Sequence, residues 1–162
     1  MIKIYVSGDA EKVIPEFEKF GFDYFSPRGL MASLSPEGRT DKSKMVFAEG
    51  QEMVSSNILL AVGDSTETAY DVGYWMALKD HFKYKSKKSF DEHQRYLVTL
   101  ETNGQKFHPM LHGNADAHLT SEIDLMGFCG IVAGNWDAPV GKENHPEWQN
   151  NSIRRRKILN QF

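Results

Sequence analysis

The chain has 162 residues, 40% of them hydrophobic and 25% charged, with a formal charge of -3. That length suits one domain with a real core, and the mildly acidic balance excludes the electrostatic footprint of a nucleic-acid-polymer binder. No apolar run approaches the ~18 residues of a membrane span, nothing at the N-terminus resembles a signal peptide, and a single cysteine, Cys129, excludes an intramolecular disulfide, so a cytoplasmic protein is expected.

Lys3-Ile4-Tyr5-Val6-Ser7-Gly8 reads as a first strand running into a glycine-containing turn. Residues 11–20 carry Val13, Ile14, Phe17 and Phe20 at helical spacing, with Gly21 as the stop. A second strand over 22–25 ends at Ser26-Pro27-Arg28-Gly29, and the polar residues 30–43 are expected to loop over a crevice. A helix from about Lys44, with Met45, Ala48 and Met53 as apolar positions, leads into Asn57-Ile58-Leu59-Leu60-Ala61-Val62. That run is almost wholly apolar, the pattern of a strand covered on both faces in a parallel sheet. Residues 63–68 supply turn and helix-entry chemistry. Residues 69–78 then read as a helix packed closely on the sheet, with Gly73 permitting the approach.

An irregular basic segment follows over 81–92, and Tyr96-Leu97-Val98-Thr99-Leu100 is a fourth strand. Residues 101–120 are polar, and 121–126 lead into a fifth strand around 127–133, which makes Cys129 a small core residue. The tail from Asn135 shows no assignable pattern. Its basic run over 154–157, like that over 83–88, reads as solvated surface. Strands alternating with helices predict one doubly wound α/β domain, flavodoxin- or Rossmann-like, with a mostly parallel sheet of about five strands.

In open sheets of this kind, ligands sit beyond the carboxyl ends of the strands. Asp71 lies in the first turns of a helix leaving such an end, which makes it the leading candidate for a reactive carboxylate. Glu49 precedes Asn57 by eight residues, just over two helical turns, so its helix can present it to the same crevice. Tyr5 can place its hydroxyl near Asp71. Each has a plainer reading: a helix N-terminal acid for Asp71, a solvated face for Glu49, a core aromatic for Tyr5.

Other chemistries lack their motifs. Only Gly8 follows the first strand, with Asp9 beside it, so the dinucleotide fingerprint is absent, as is a phosphate-binding lysine loop. His108 and His112 are four apart, but Pro109 between them breaks the helix that would align two metal-binding rings. No nucleophile-elbow sequence anchors a Ser-His-Asp arrangement. Neither a metal nor a cofactor is expected.

Four pieces in register resemble the nucleoside 2-deoxyribosyltransferase family from residue 2 to about 133. They are Lys3-Ile4-Tyr5, the acid Glu49 before the buried strand, Tyr70-Asp71-Val72-Gly73-Tyr74, and Asp124-Leu125-Met126. The resemblance implies transfer of a 2-deoxyribosyl group between nucleobases by double displacement. It casts Asp71 as nucleophile, Tyr5 as the group orienting it, and Glu49 as the acid/base that protonates the leaving base. Gly8, Ser65 and Thr66 become substrate-binding positions. Asp124 and Met126 fall where family members reach into a neighbouring subunit's site, which implies a homo-oligomer, a dimer or hexamer, with shared active sites. Phe128 and Trp75 are expected near those contacts. The implied partners are deoxynucleosides and free nucleobases.

The chain departs from the family at four points. Its nucleophile is normally glutamate, its base-protonating acid aspartate, its sugar-hydroxyl group an aspartate where Ser65 and Thr66 stand, and position 124 an asparagine. Two other readings compete. One is an N-glycosidic hydrolase of deoxynucleosides or deoxynucleoside 5′-monophosphates, although Asp9 and Glu11 in the first loop oppose a phosphate unless the C-terminal arginines fold over the crevice. The other is a nucleoside-binding module without catalysis.

Overall fold

The structure is a computed structural model describing residues 2–35, 42–85, 95–136 and 154–162. Five strands form one parallel sheet: β1 (Lys3–Gly8), β2 (Asp23–Phe25), β3 (Ile58–Val62), β4 (Tyr96–Leu100) and β5 (Ala117–Leu119), in the order β2-β1-β3-β4-β5. The helices are α1 (Ile14–Phe20), α2 (Pro27–Ser33), α3 (Lys42–Ser55), α4 (Thr66–Lys85), α5 (Pro109–Asn114) and α6 (Glu122–Asn135), with a further helical segment at 154–159. The chain winds one way from β1 to β2, then returns past β1 to build β3, β4 and β5. Strand order therefore reverses between β1 and β3, and that switch point is where a doubly wound sheet opens a crevice.

Strand alternation divides the core in two. Ile4, Val6, Ile58, Leu60 and Val98 point to one face, where Phe17 of α1, Leu125, Phe128 and Val132 of α6, and Ile158 and Leu159 cover them. Tyr5, Leu59 and Leu97 share a register row on the opposite face, packed by Met53 of α3, Val72 and Trp75 of α4, and Phe107. Ser7, Ala61 and Thr99 form the next row of that face, nearer the carboxyl ends. A buried arginine fixes one helix on this side. Arg95 donates to the carbonyls of Met53 (2.9 Å) and Ser56 (3.0 Å) and to that of Val54, and lies 5.4 Å from the Trp75 ring. A cation on those last carbonyls complements the helix dipole and anchors α3, the helix that carries Glu49.

Several expectations need correction. The fifth strand is Ala117–Leu119, whereas residues 127–133 belong to α6. Leu125, Phe128, Cys129 and Val132 are buried at i, i+3, i+4 and i+7, and the Ser121 hydroxyl accepts from the Asp124 N–H as an N-cap. A short, largely apolar run cannot separate a buried helix from a strand, and the capping signal decides it. Cys129 is fully buried as expected, but on a helix, and burial pushes its thiol up to about 12. The loop expected over 30–43 gives way to α2, started by the Ser26 hydroxyl accepting from the Gly29 N–H and by Pro27 at the first position, and to α3 from Lys42; residues 36–41 lie outside the described residues.

The segment expected to be irregular from 81 is helical to Lys85, and 86–94 lie outside the described residues. Gly73 is exposed, and a Cβ there would meet nothing within 4 Å, so it does not serve close packing on the sheet. Trp75 and Phe128 are both 0% exposed, so each packs its side chain into this chain's own core rather than presenting it at the surface. Arg154 and Arg155 do not reach the crevice. Arg154 donates to the Trp136 carbonyl, and Arg155 lies 5.0 Å from the Trp136 ring, on the face lined by α6.

A candidate active site at the strand reversal

Gly8 shapes the floor of the crevice. Its φ is +89°, and a Cβ there would meet the Val62 carbonyl oxygen at 2.3 Å, so only glycine lets the ends of β1 and β3 come this close. The β3–α4 turn is fixed by a reciprocal cap. The Ser65 N–H donates to the Thr68 hydroxyl (2.8 Å), and the Thr68 N–H donates to the Ser65 hydroxyl (3.2 Å). Asp64 accepts from the His108 N–H at 3.0 Å, tying this turn to the start of α5.

Asp71 then sits in the second turn of α4, 6% exposed, with its carboxylate turned onto β1. The Ser7 hydroxyl donates to its Oδ2 at 2.6 Å. Burial is the main cause that pushes the Asp71 carboxyl up to about 6. The Ser7 hydrogen bond pulls it down, while the charges of Glu67 and Glu49 add to the rise. Glu49, half-buried on α3, is likewise raised, by burial first and by Glu67 second. Tyr5 is fully buried between these groups and against Phe25, with ring centroids 5.5 Å apart. Its phenol is driven far above the ordinary range by burial, then by the charges of Asp71 and Glu49. Its Oη has no hydrogen-bond partner among the described residues.

The fold thus brings Tyr5, Glu49 and Asp71 within electrostatic reach of one another near the carboxyl ends of β1 and β3, where Gly8, Ser65 and Thr66 also lie. Two details differ from the sequence expectation. Ser7, rather than Tyr5, holds the Asp71 carboxylate, and the Ser65 hydroxyl is engaged in the helix cap. Asp124 and Met126 lie on α6, past β5 and two strands from β3. Asp124 Oδ2 accepts from the Thr120 N–H and hydroxyl, both at 2.8 Å, and these bonds hold its carboxyl below the usual range. Met126 is 46% exposed.

Sequence reasoning missed Ser7 as the partner of Asp71 and the pairing of Arg28 with Glu67. Arg28, in the first turn of α2, donates from Nε (3.1 Å) and Nη2 (3.0 Å) to Glu67 Oε2, and its Nη1 lies 4.0 Å from Asp9. Ser7 was legible by strand geometry. It is two residues beyond Tyr5, so it shares Tyr5's face and stands one rung nearer the ligand end. Arg28 and Glu67 carried no such signal, because their pairing joins separate elements.

Among the described residues no group of three His, Cys, Asp or Glu side chains is placed to hold a metal ion. Nor is any described helix long and apolar enough to cross a membrane. What the site offers is a buried carboxylate that is ionised near neutrality, beside a second carboxyl with a raised pKa. That pairing suits nucleophilic attack with proton delivery.

No protein-family model matches the chain, and no curated protein matches it. Among solved structures, a 2-deoxyribosyltransferase from the psychrotolerant bacterium Bacillus psychrosaccharolyticus is similar in fold, with a TM-score of 0.59 and 16% identity. The alignment covers 76% of this chain and 90% of that one. An identity this low makes the likeness one of fold.

Proposed function

We propose that the protein transfers a 2-deoxyribosyl group between nucleobases, with Asp71 as nucleophile and Glu49 as acid/base. One observation carries the reading: a desolvated carboxylate at the strand reversal, 6% exposed and pushed up to about 6, beside a second raised carboxyl. The fold likeness to a 2-deoxyribosyltransferase agrees with it.

In the first step an Asp71 oxygen bonds C1′ as the C1′–N bond breaks, and protonated Glu49 gives its proton to the departing base. In the second step a nitrogen of the incoming base attacks C1′, the C1′–O ester bond breaks, and Glu49 regains a proton from that base. Trapping an oxocarbenium-like centre covalently splits one hard step into two easier ones. Proton delivery to a poor leaving group is typically worth ~10²–10⁴-fold. Asp71 is one methylene shorter than the family's usual glutamate and Glu49 one longer than its usual aspartate, so the sugar is expected to sit closer to α4.

Incubation with a deoxynucleoside and a second free base, followed by chromatography, tests the reading. Exchanged nucleoside is the expected product, with a glycosyl adduct on the intact protein. Free sugar with no exchange would replace the transferase by an N-glycosidic hydrolase. Neither product nor adduct would leave only a nucleoside-binding module. Arg28 at the crevice mouth is the observation that favours a 5′-monophosphate substrate, but its guanidinium is already spent on Glu67 and Asp9.

The same reading extends to a homo-oligomer. Val46, Phe47 and Val54 on α3 and Tyr70 and Tyr74 on α4 are exposed apolar side chains on the helices that bound the crevice. Val46, Phe47, Val54 and Tyr74 line one surface hollow, and an apolar patch of this kind suits a subunit contact. Light scattering is expected to show a dimer or larger, and a fully active monomer at micromolar concentration would overturn it.

A further inference from the structure

We infer that Ser7 is the positioning residue of Asp71, fixing which carboxylate oxygen attacks and how readily the carboxylate ionises. As to attack, this rests on the transfer reading; as to ionisation, it stands without it.

Ser7 is 0% exposed, and its backbone is locked by pairing of β1 with β3 at Ser7↔Ala61. Its hydroxyl donates to Asp71 Oδ2 at 2.6 Å, the length of a charge-assisted O–H···O⁻ bond. An aspartate carboxylate turns broadly about its last torsion, so its two oxygens are otherwise interchangeable. The Ser7 bond breaks that symmetry and leaves Oδ1, which has no hydrogen bond among the described residues, as the attacking atom. Tyr5 Oη makes no hydrogen bond among the described residues, so β1 supplies a single described anchor to the free carboxylate.

The hydrogen bond is also unequal across the reaction. It is strongest to the carboxylate and weaker to the carbonyl oxygen of the glycosyl ester. In the second step, as the C1′–O bond breaks and charge returns to Asp71, Ser7 stabilises the leaving carboxylate. Loss of Ser7 is therefore expected to slow release from the adduct and let it accumulate.

The groups facing Asp71 are Ser7 and Tyr5 from β1, Glu49 from α3, and Glu67 on its own helix. Burial and both glutamates raise its carboxyl; Ser7 alone lowers it. The test is carboxyl ¹³C NMR titration of Asp71, assigned by difference against Asp71→Asn, in the wild type, Ser7→Ala and Ser7→Thr. Ser7→Ala is expected to move the Asp71 midpoint up by about one pH unit, the acid limb of kcat/KM moving with it. Ser7→Thr keeps the hydroxyl and is expected to stay near the wild-type midpoint. An unmoved midpoint in Ser7→Ala, or a Ser7→Thr midpoint displaced as far, would overturn the assignment. Should Ser7→Ala not fold, a displaced Ser7→Thr midpoint overturns it and a retained one supports it. A moved midpoint in a protein that transfers no sugar would retire the transferase reading and leave the Ser7–Asp71 coupling standing.

Discussion

Asp71→Asn is expected to abolish glycosyl transfer, by on the order of 10⁴-fold or more, and to stabilise the fold at pH 8. The amide is nearly isosteric and can still accept from Ser7, but it carries no charge with which to attack C1′. The stability gain follows from the sign of the Asp71 shift. Its folded carboxyl titrates at about 6 against an ordinary value of 3.8. A raised acid stabilises the folded state while it is protonated, below about 4, and that contribution is lost as pH climbs through 6. Above neutrality the buried carboxylate costs roughly 3 kcal/mol, from about two units at ~1.4 kcal/mol each. Urea unfolding of both proteins at pH 8 and near pH 4 measures this. The variant should be the more stable at pH 8, and the two should converge in acid. A variant that is less stable at pH 8, or that turns over like the wild type, would contradict a desolvated nucleophile.

That trade explains which parts of the molecule could be read from sequence. The three central strands were legible because a parallel sheet covered on both faces demands runs such as Ile58-Leu59-Leu60-Ala61-Val62, which few other structures tolerate. The edge strand β5 is three residues long, Ala117-His118-Leu119, too short to show a period. With β5 unseen, the apolar residues of α6 took its place in the reading. Asp71 could be singled out because an acid in the opening turns of a helix after a buried strand has a definite position, and Glu49 because it stands eight residues ahead of Asn57 on the helix that leads into that strand. Ser7 held a legible strand position, but its chemistry masked its role. A small polar residue before Gly8 reads as turn, yet here it is buried and faces the carboxylate. Polar residues inside a strand violate the pattern that identifies the strand, and such violations mark sites.

Glu49 offers the sharper test, because a solvated helix-face glutamate and a proton donor predict different kinetics. On a solvated face, Glu49→Ala changes stability by less than about 0.5 kcal/mol and leaves turnover alone. As the acid, Glu49 is needed only where the base cannot depart as an anion. Cleavage of an ordinary deoxynucleoside should then fall by ~10²-fold or more, while a substrate with an activated leaving group loses much less. The neighbouring acids are poorly placed to substitute. Glu67 accepts from Arg28 through Nε and Nη2, and Glu52 pairs with Lys3. Glu49 has no such cation among the described residues, and its carboxyl is raised by burial and by Glu67, which favours the protonated form that donates. A general packing defect would slow both substrates alike. Equal slowing of both substrates, or of neither, removes Glu49 from the acid role and points to Glu67 released from Arg28.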